Sequence, residues 1–504
     1  MNESRLRKSG RNIIAGLFQY ALNILLVWIG RIIFVRVLSS DYLGINGLFT
    51  NIISVLSIAD LGLPAAMTYS LFQPLAENDT KKISSLIAFF RNVYIVIAIA
   101  VFLIGMSLIP FLDSIVNLET PVQDIEKYYI LILLNTVISY VYIYRTTLFT
   151  ADQKNYVLQR YIMVFRVITF VAQTVVLLLF HDYFFYLFVS VCVALLSNLF
   201  QNRASVREYP YLTDKATPLD KSERKKIWSN VFDLFLYRIC GVIQNNTDSI
   251  LISVFAGTVA VGYYSNYQLI ILTLVSILTI VFSGVKASLG NLIFSETSNS
   301  SQRQEVYWTM ELVNYWMVSF CSICLICLFQ GFIELSFGEE YLLSFGTVVA
   351  IVLNFYTGNI RQPIWAFRET TGIFHETRNV TAVTAVINIM LSLLLGIYWG
   401  IFGILIATVI ARMVYSWWKE PMVLFNGYFG CSSGRYFSNY AVRLVLFAIV
   451  CSACYFVCEG ISISNAYLCF VVKMLICILF PNAVFAACFF KNESLRGLIK
   501  RVIR

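Results

Sequence analysis

The sequence predicts an all-α integral membrane protein of about fourteen transmembrane helices, two six-helix lobes followed by a C-terminal pair. Three observations lead there. First, 59% of the 504 residues are apolar and only 13% are charged, about half the charged share of a typical soluble domain. Second, the apolar residues come in long runs. A membrane-crossing helix uses about 20 of them, so fourteen helices take roughly 280, close to the whole supply. Third, Lys and Arg gather in alternate connections. This composition excludes a soluble globular enzyme, a disordered chain and a nucleic-acid binder with one basic face.

The runs cover residues 13–35, 45–71, 83–111, 128–149, 156–180 and 183–200, then 227–255, 261–289, 306–329, 341–365, 377–398 and 401–418, and finally 440–458 and 466–489. The basic start (Arg5, Arg7, Lys8, Arg11) leads straight into the first run with no small-residue cleavage site, so a cleaved signal sequence is not expected. Tyr and Trp mark the ends, as at Tyr128-Tyr129, Tyr398-Trp399 and Trp417-Trp418, where interfacial belts place them. In the second run Asp60, Gly62 and Pro64 fall close together. Proline removes a helix hydrogen bond and frees a carbonyl, so a bend beside protein or water is expected there.

The long connection 201–226 carries Arg203, Arg207, Lys215, Lys221, Arg224, Lys225 and Lys226, and the C-terminal tail carries Lys491, Arg496, Lys500, Arg501 and Arg504. Loops on the opposite side hold acids instead, among them Asp113, Glu119, Glu126, Glu334 and Glu340. Basic loops stay in the cytoplasm during insertion, so both termini are expected there. The same connection divides the chain into a lobe at 1–200, a basic linker at 201–226, a second lobe at 227–420 and an added pair with its tail at 421–504. A faint echo between Leu43-Gly44-Ile45-Asn46-Gly47 and Val261-Gly262-Tyr263-Tyr264-Ser265 fits two parallel repeats, an arrangement that places substrate between the halves.

Little here is fitted to catalysis. The two histidines, His181 and His375, fall in a turn and a loop on opposite sides. No Ser/His/Asp order, phosphate-cradling glycine loop or metal-ligand spacing is present, so neither enzymatic activity nor a cofactor or metal is expected. Of the twelve cysteines, Cys321, Cys324 and Cys327, like Cys451, Cys454 and Cys458, recur every three or four residues in apolar runs. That spacing reads as small residues in helix packing.

What the chain does hold is charge inside the membrane. Arg31, Arg36, Arg91, Arg145, Arg160, Arg166, Arg238, Lys286, Arg412 and Lys473 lie within or at the ends of runs, against the acids Asp60, Asp233, Asp248 and Glu311. A charge at mid-bilayer costs about 2.5–3.5 kcal/mol even on insertion scales. The surplus of cations must therefore meet water, headgroups or an anionic passenger. Arg145, Arg160 and Lys286 lie near cytoplasmic ends and Arg36 near an outer one, where long side chains snorkel. Arg166, Arg238 and Arg412 sit too deep for that, and Arg31 and Arg91 are intermediate. A guanidinium fork suits phosphate. Arg31, Arg91, Arg166, Arg238 and Arg412 are accordingly the candidates to bind a diphosphate-linked substrate in a cationic cavity. Asp60, Asp233, Asp248 and Glu311 are the candidates for gating or ion coupling.

Several stretches carry a family resemblance. The run Tyr42-Leu43-Gly44-Ile45-Asn46-Gly47-Leu48-Phe49-Thr50-Asn51-Ile52, then Asp60-Leu61-Gly62, Lys81-Lys82-Ile83, Ala151-Asp152-Gln153-Lys154-Asn155-Tyr156, Val261-Gly262-Tyr263-Tyr264-Ser265-Asn266-Tyr267 and Gly338-Glu339-Glu340-Tyr341-Leu342-Leu343-Ser344-Phe345 resemble bacterial polysaccharide transporters. These are the oligosaccharide flippases of O-antigen, capsule and exopolysaccharide pathways, within the multidrug/oligosaccharidyl-lipid/polysaccharide exporter superfamily. The resemblance implies two six-helix lobes around a cavity that opens alternately to each side. It also implies an undecaprenyl-diphosphate-linked oligosaccharide as the substrate, moved across the bacterial inner membrane, with polysaccharide polymerase machinery as a partner downstream. Arg31 best fits the diphosphate-engaging arginines of related lipid II flippases, whose fourteen spans this chain also shares. Two alternatives stay open: a cation-coupled drug extruder, which wants acids in its cavity, and a membrane glycan polymerase or ligase, which wants a larger outer loop.

Overall fold

The computed structural model describes residues 22–38, 40–57, 63–116, 124–152, 154–213, 218–225, 247–294, 300–371 and 375–490, with Val122 and Trp228 besides. Among them every regular element is helical. Among the described residues eight helices are long and apolar enough to cross a membrane, nine if one bent pair counts as a single span. The chain divides into two compact units, Met1–Gly262 and Tyr263–Arg504.

The first unit holds α1 (residues 22–37), α2 (Ser40–Leu56), α3 (Leu63–Ala76), α4 (Thr80–Ser107), α5 (Ile125–Tyr140), α6 (Ile143–Ala151), α7 (Asn155–Phe180), α8 (Tyr183–Glu208), α9 (Thr247–Ala256) and the start of α10 (Thr258–Phe294). Local chemistry sets several boundaries. The Asp79 carboxylate accepts from the Lys82 amide (3.0 Å) to cap α4, and Asp182 accepts from Phe184 (2.6 Å) to cap α8, each satisfying a donor the helix start leaves open. α5 and α6 meet at a 48° bend. The packing of α2 on α10 depends on glycine. A Cβ on Gly44 would lie 2.2 Å from the Thr258 carbonyl oxygen, and one on Gly262 2.7 Å from the Gly44 nitrogen. In a bilayer, where lipid tails are as apolar as leucine, such close backbone approach is a main source of helix association.

On α7, Val164, Ile168, Val171, Val175 and Leu178 are all exposed. Spaced at four, three, four and three residues, they form one stripe along the helix. An open apolar stripe of this length on a membrane span is a surface for lipid tails.

The second unit holds the rest of α10, then α11 (Ser300–Phe337), α12 (Phe345–Asn359), α13 (Gln362–Thr371) and α14 (His375–Ala411). α14 is broken at Gly400, whose positive φ of 54° glycine tolerates. It is continued by a π-helical stretch (Arg412–Ser416), α15 (Trp417–Met422) and a second π-helical stretch (Val423–Phe429). The unit ends with the hairpin α16 (Gly434–Glu459) and α17 (Ala466–Phe489), both packed on α11. The run expected at 341–365 is two helices, because the chain turns at Ile360 and Arg361 ahead of Pro363.

Outside the spans, described residues of the basic connection fold onto the start of α4, and the end of α8 pairs with Lys154 ahead of α7. Lys82 pairs with Glu223, and the Ser84 hydroxyl donates to the Tyr211 carbonyl (3.0 Å). Lys154 pairs with Glu208 (2.8 Å) and Asp152 (3.0 Å), and these carboxylates hold its ammonium above the usual lysine range.

Candidate functional site

Three of the sequence-predicted residues, Asp60, Asp233 and Arg238, lie outside the described residues. The others divide by location. In the first unit, Arg166 on α7 donates to the Asn23 side-chain oxygen on α1. Further along, Gly30 of α1 sits against the Phe170 ring of α7, where an added Cβ would be 3.5 Å from it. α1 and α7 are thus neighbours over at least two turns.

The facing of these helices follows from the helical repeat of 3.6 residues. Arg166 lies on the side of α7 opposite the apolar stripe of Val164, Ile168 and Val175, yet it is exposed. On α1, Leu25, Ile29 and Arg36 are exposed on one side. Asn23, Val27 and Arg31, spaced at four residues, form another side. Arg166 is therefore carried on the face of α7 turned away from its apolar stripe, where it meets Asn23; Arg31 lies on the Asn23 side of α1, two turns further along, a side on which Val27 is also exposed. Arg36 and Arg160 fall on the stripes near helix ends, as snorkelling requires.

Arg31 is half-buried and within electrostatic reach of the Tyr183 and Tyr186 phenols of α8. Those rings belong to an aromatic group with Phe34, Tyr42 and Tyr128, centroids 5.0–6.1 Å apart about Tyr183. The Tyr183 hydroxyl donates to the Asn46 side chain (3.1 Å). Arg91 is not part of this group. It shares the open row of Ile95, Ile99 and Leu103 on α4 and lies within electrostatic reach of Tyr144. Asp248 is buried in α9.

In the second unit, Arg412 donates to the Asn354 carbonyl (2.9 Å), and its guanidinium covers Gly358. Glu311 accepts from Arg443, and both are buried; the Arg443 guanidinium also lies 5.5 Å from the Tyr315 ring centre. Glu420 takes Arg361 (3.1 Å), Arg368 (3.8 Å) and the Trp365 indole N–H (3.1 Å), while Arg361 also donates to Ser416 (2.7 Å). Sequence reasoning missed Arg361, Arg368, Arg443 and Glu420. It ended spans at 365 and 418 and so left Arg368 and Glu420 in connections, and it passed over Arg361 and Arg443 inside the runs 341–365 and 440–458. A breaking Pro363 directly after Arg361-Gln362, and a Pro421 directly after Glu420, were the available signals.

A family profile described as polysaccharide biosynthesis protein matches residues 9–286, more than half of the chain. Comparison with curated proteins finds no match. Among solved structures, the fold is similar to the lipid II flippase MurJ in an inward closed conformation (TM-score 0.68, 15% identity, 96% of this chain and 99% of that one). It is also similar to an inward-facing multidrug resistance MATE family transporter of the MOP superfamily (TM-score 0.58, 13% identity, 78% and 91%). A third likeness is to a MOP superfamily transporter from Pyrococcus furiosus, described by the reverse polarity of its binding pocket (TM-score 0.52, 11% identity, 79% and 90%). Identities this low speak to fold alone, and that fold is the helical transporter fold of a multi-pass membrane protein. With the match over residues 9–286, the chain belongs to the polysaccharide biosynthesis protein family.

Proposed function

We propose that this protein is a flippase that carries an undecaprenyl-diphosphate-linked oligosaccharide from the inner to the outer leaflet of the bacterial cytoplasmic membrane. Fourteen spans in two six-helix lobes plus a C-terminal pair would alternate access to a cationic cavity, with both termini in the cytoplasm and the product passed to polysaccharide polymerase machinery.

The observation that carries this reading is that Arg166 is held by the neutral side chain of Asn23 on α1, the helix that also carries Arg31 two turns further on, with Arg166 on the side of α7 opposite its apolar stripe. A charge kept in a membrane span usually faces water or a partner, and a guanidinium pair matches the charge and the donor geometry of a diphosphate. The buried phenol of Tyr183 and its neighbour Tyr186 would set the position of Arg31 from behind. Arg91, Arg238 and Arg412 complete the proposed cationic set. Asp60, Asp233 and Asp248 are the proposed gating or ion-coupling acids; Glu311 joins them only if its pairing with Arg443 opens during transport.

The test is deletion of the gene followed by analysis of lipid-linked glycans. The expected result is a complete repeat unit that accumulates on undecaprenyl diphosphate and is accessible only from the cytoplasmic side. A second reading, a cation-coupled drug extruder, draws on the MATE likeness. In that case deletion would raise drug sensitivity and leave lipid-linked glycans unchanged.

A further inference from the structure

The second unit contains a side-chain cluster that transport does not use. Cys327 of α11, Cys454 and Cys458 of α16 and Cys477 of α17 bring their four sulfur atoms within 4.8 Å of one another. Cys477 Sγ is 3.8 Å from both Cys454 Sγ and Cys458 Sγ. Cys454, Cys458 and Cys477 are buried. We infer that this four-thiol cluster is a structural zinc site that fastens the C-terminal hairpin α16–α17 to α11.

The argument is geometric. A zinc ion bound by four thiolates sits about 2.3 Å from each sulfur, so the edge of that tetrahedron is about 3.8 Å. The two contacts at Cys477 already have that length. Cys454 and Cys458 are one helical turn apart on one helix, and the other two ligands come from two different helices, so the four converge on a point from three directions. Close packing alone requires only that small side chains fit; it does not require four sulfurs to share one centre. A closed set of four soft donors, with no histidine or carboxylate among them, selects a thiophilic cation in tetrahedral geometry and leaves no open position for catalysis.

Binding is balanced as Zn²⁺ plus four thiols giving a zinc tetrathiolate of net charge −2 and four protons. Cys454 and Cys458 lie in the last two turns of α16, while Cys477 is midway along α17, so the buried charge of the site rests on the hydrogen bonds and packing around its sulfurs. The Cys324 thiol, one turn from Cys327, donates to the Cys477 carbonyl (3.8 Å) and steadies the ligand backbone. The physical need is clear. Helices in lipid gain no hydrophobic drive to associate, and a shared ion supplies an attachment that packing does not.

The test uses the full chain, purified in detergent without chelator, with metals counted against protein by mass spectrometry. The expected result is one zinc per chain, retained through a brief chelator wash and lost from Cys454→Ser and Cys477→Ser but kept in Cys192→Ser. Growth in cobalt should give the intense thiolate-to-metal absorption of a tetrahedral cobalt site. If the serine variants do not fold, the zinc content and cobalt spectrum of the wild-type protein decide alone. Folded protein that holds no metal and takes up neither zinc nor cobalt overturns the inference. So does iron or copper in place of zinc, or a disulfide among the four cysteines after alkylation and mass analysis.

Discussion

The buried arginines of the second unit and the arginines of α1 and α7 in the first are partnered in opposite ways. In the second, Arg361, Arg368 and Arg443 are at most 9% exposed, and each faces a buried glutamate, Glu420 or Glu311. In the first, Arg166 is exposed and meets the neutral amide of Asn23, and half-buried Arg31 lies among phenols. A buried ion pair holds elements in place but has its charge spent. A guanidinium held by a neutral amide, as Arg166 is by Asn23, keeps its charge. The same residue type thus serves structure where it faces a buried glutamate, and by our proposal recognition where it does not, a group that in the second unit includes Arg412 on the Asn354 carbonyl.

The sharpest way to break that contrast is to strand a buried charge. Glu311→Ala or Arg443→Ala should each cost about 3–5 kcal/mol, read as a large fall in the melting temperature of detergent-solubilised protein and little folded protein in the membrane. Replacing both together by apolar residues, Glu311→Leu with Arg443→Met, should recover most of that loss, because the cost lies in the unpaired charge. A double variant as unstable as the singles would show that the pair does more than cancel charge.

The open arginines should behave in reverse. Arg31→Gln and Arg166→Gln should leave melting within about 0.5 kcal/mol of wild type. Export measured in deletion cells complemented with each variant should fall tenfold or more, since a charged hydrogen bond is worth about 1.5–3 kcal/mol. Loss of folded protein in step with export would move these arginines into the structural class.

Smaller effects come from packing and from the surface. Gly44→Ala places a methyl against the Thr258 carbonyl and should cost about 1–3 kcal/mol, seen as lowered melting with α2 and α10 forced apart. Lys154→Met should cost under about 1 kcal/mol, because its partners are partly exposed and such pairs are worth little. The folded-state pKa of Lys154 is raised. Its contribution is therefore complete below the ordinary lysine range of about 10 and lost only as pH rises through the folded value. A melting series from pH 6 to 8 should show no difference in slope between wild type and Lys154→Met.

Composition and run length made the membrane fold legible, because the bilayer leaves so few ways to satisfy a backbone. Arg166 was legible as a deep charge and Arg31 as an intermediate one, and nearness to the ends of their runs set Arg36 and Arg160 apart from them. What could not be read was pairing between distant positions. Glu420 meets Arg361 from 59 residues away, and Arg443 meets Glu311 from 132; no local pattern encodes either. The same holds for Cys477, which joins Cys327, Cys454 and Cys458 only after three helices pack.

The most direct measurement reconstitutes the full chain in vesicles loaded with a fluorescent undecaprenyl-diphosphate oligosaccharide and follows its appearance in the opposite leaflet. Wild type should move the lipid faster than protein-free vesicles. The folded Arg31→Gln/Arg166→Gln double variant should move it no faster than the protein-free control. Wild-type rates from that double variant would contradict the claim that these two arginines receive the diphosphate.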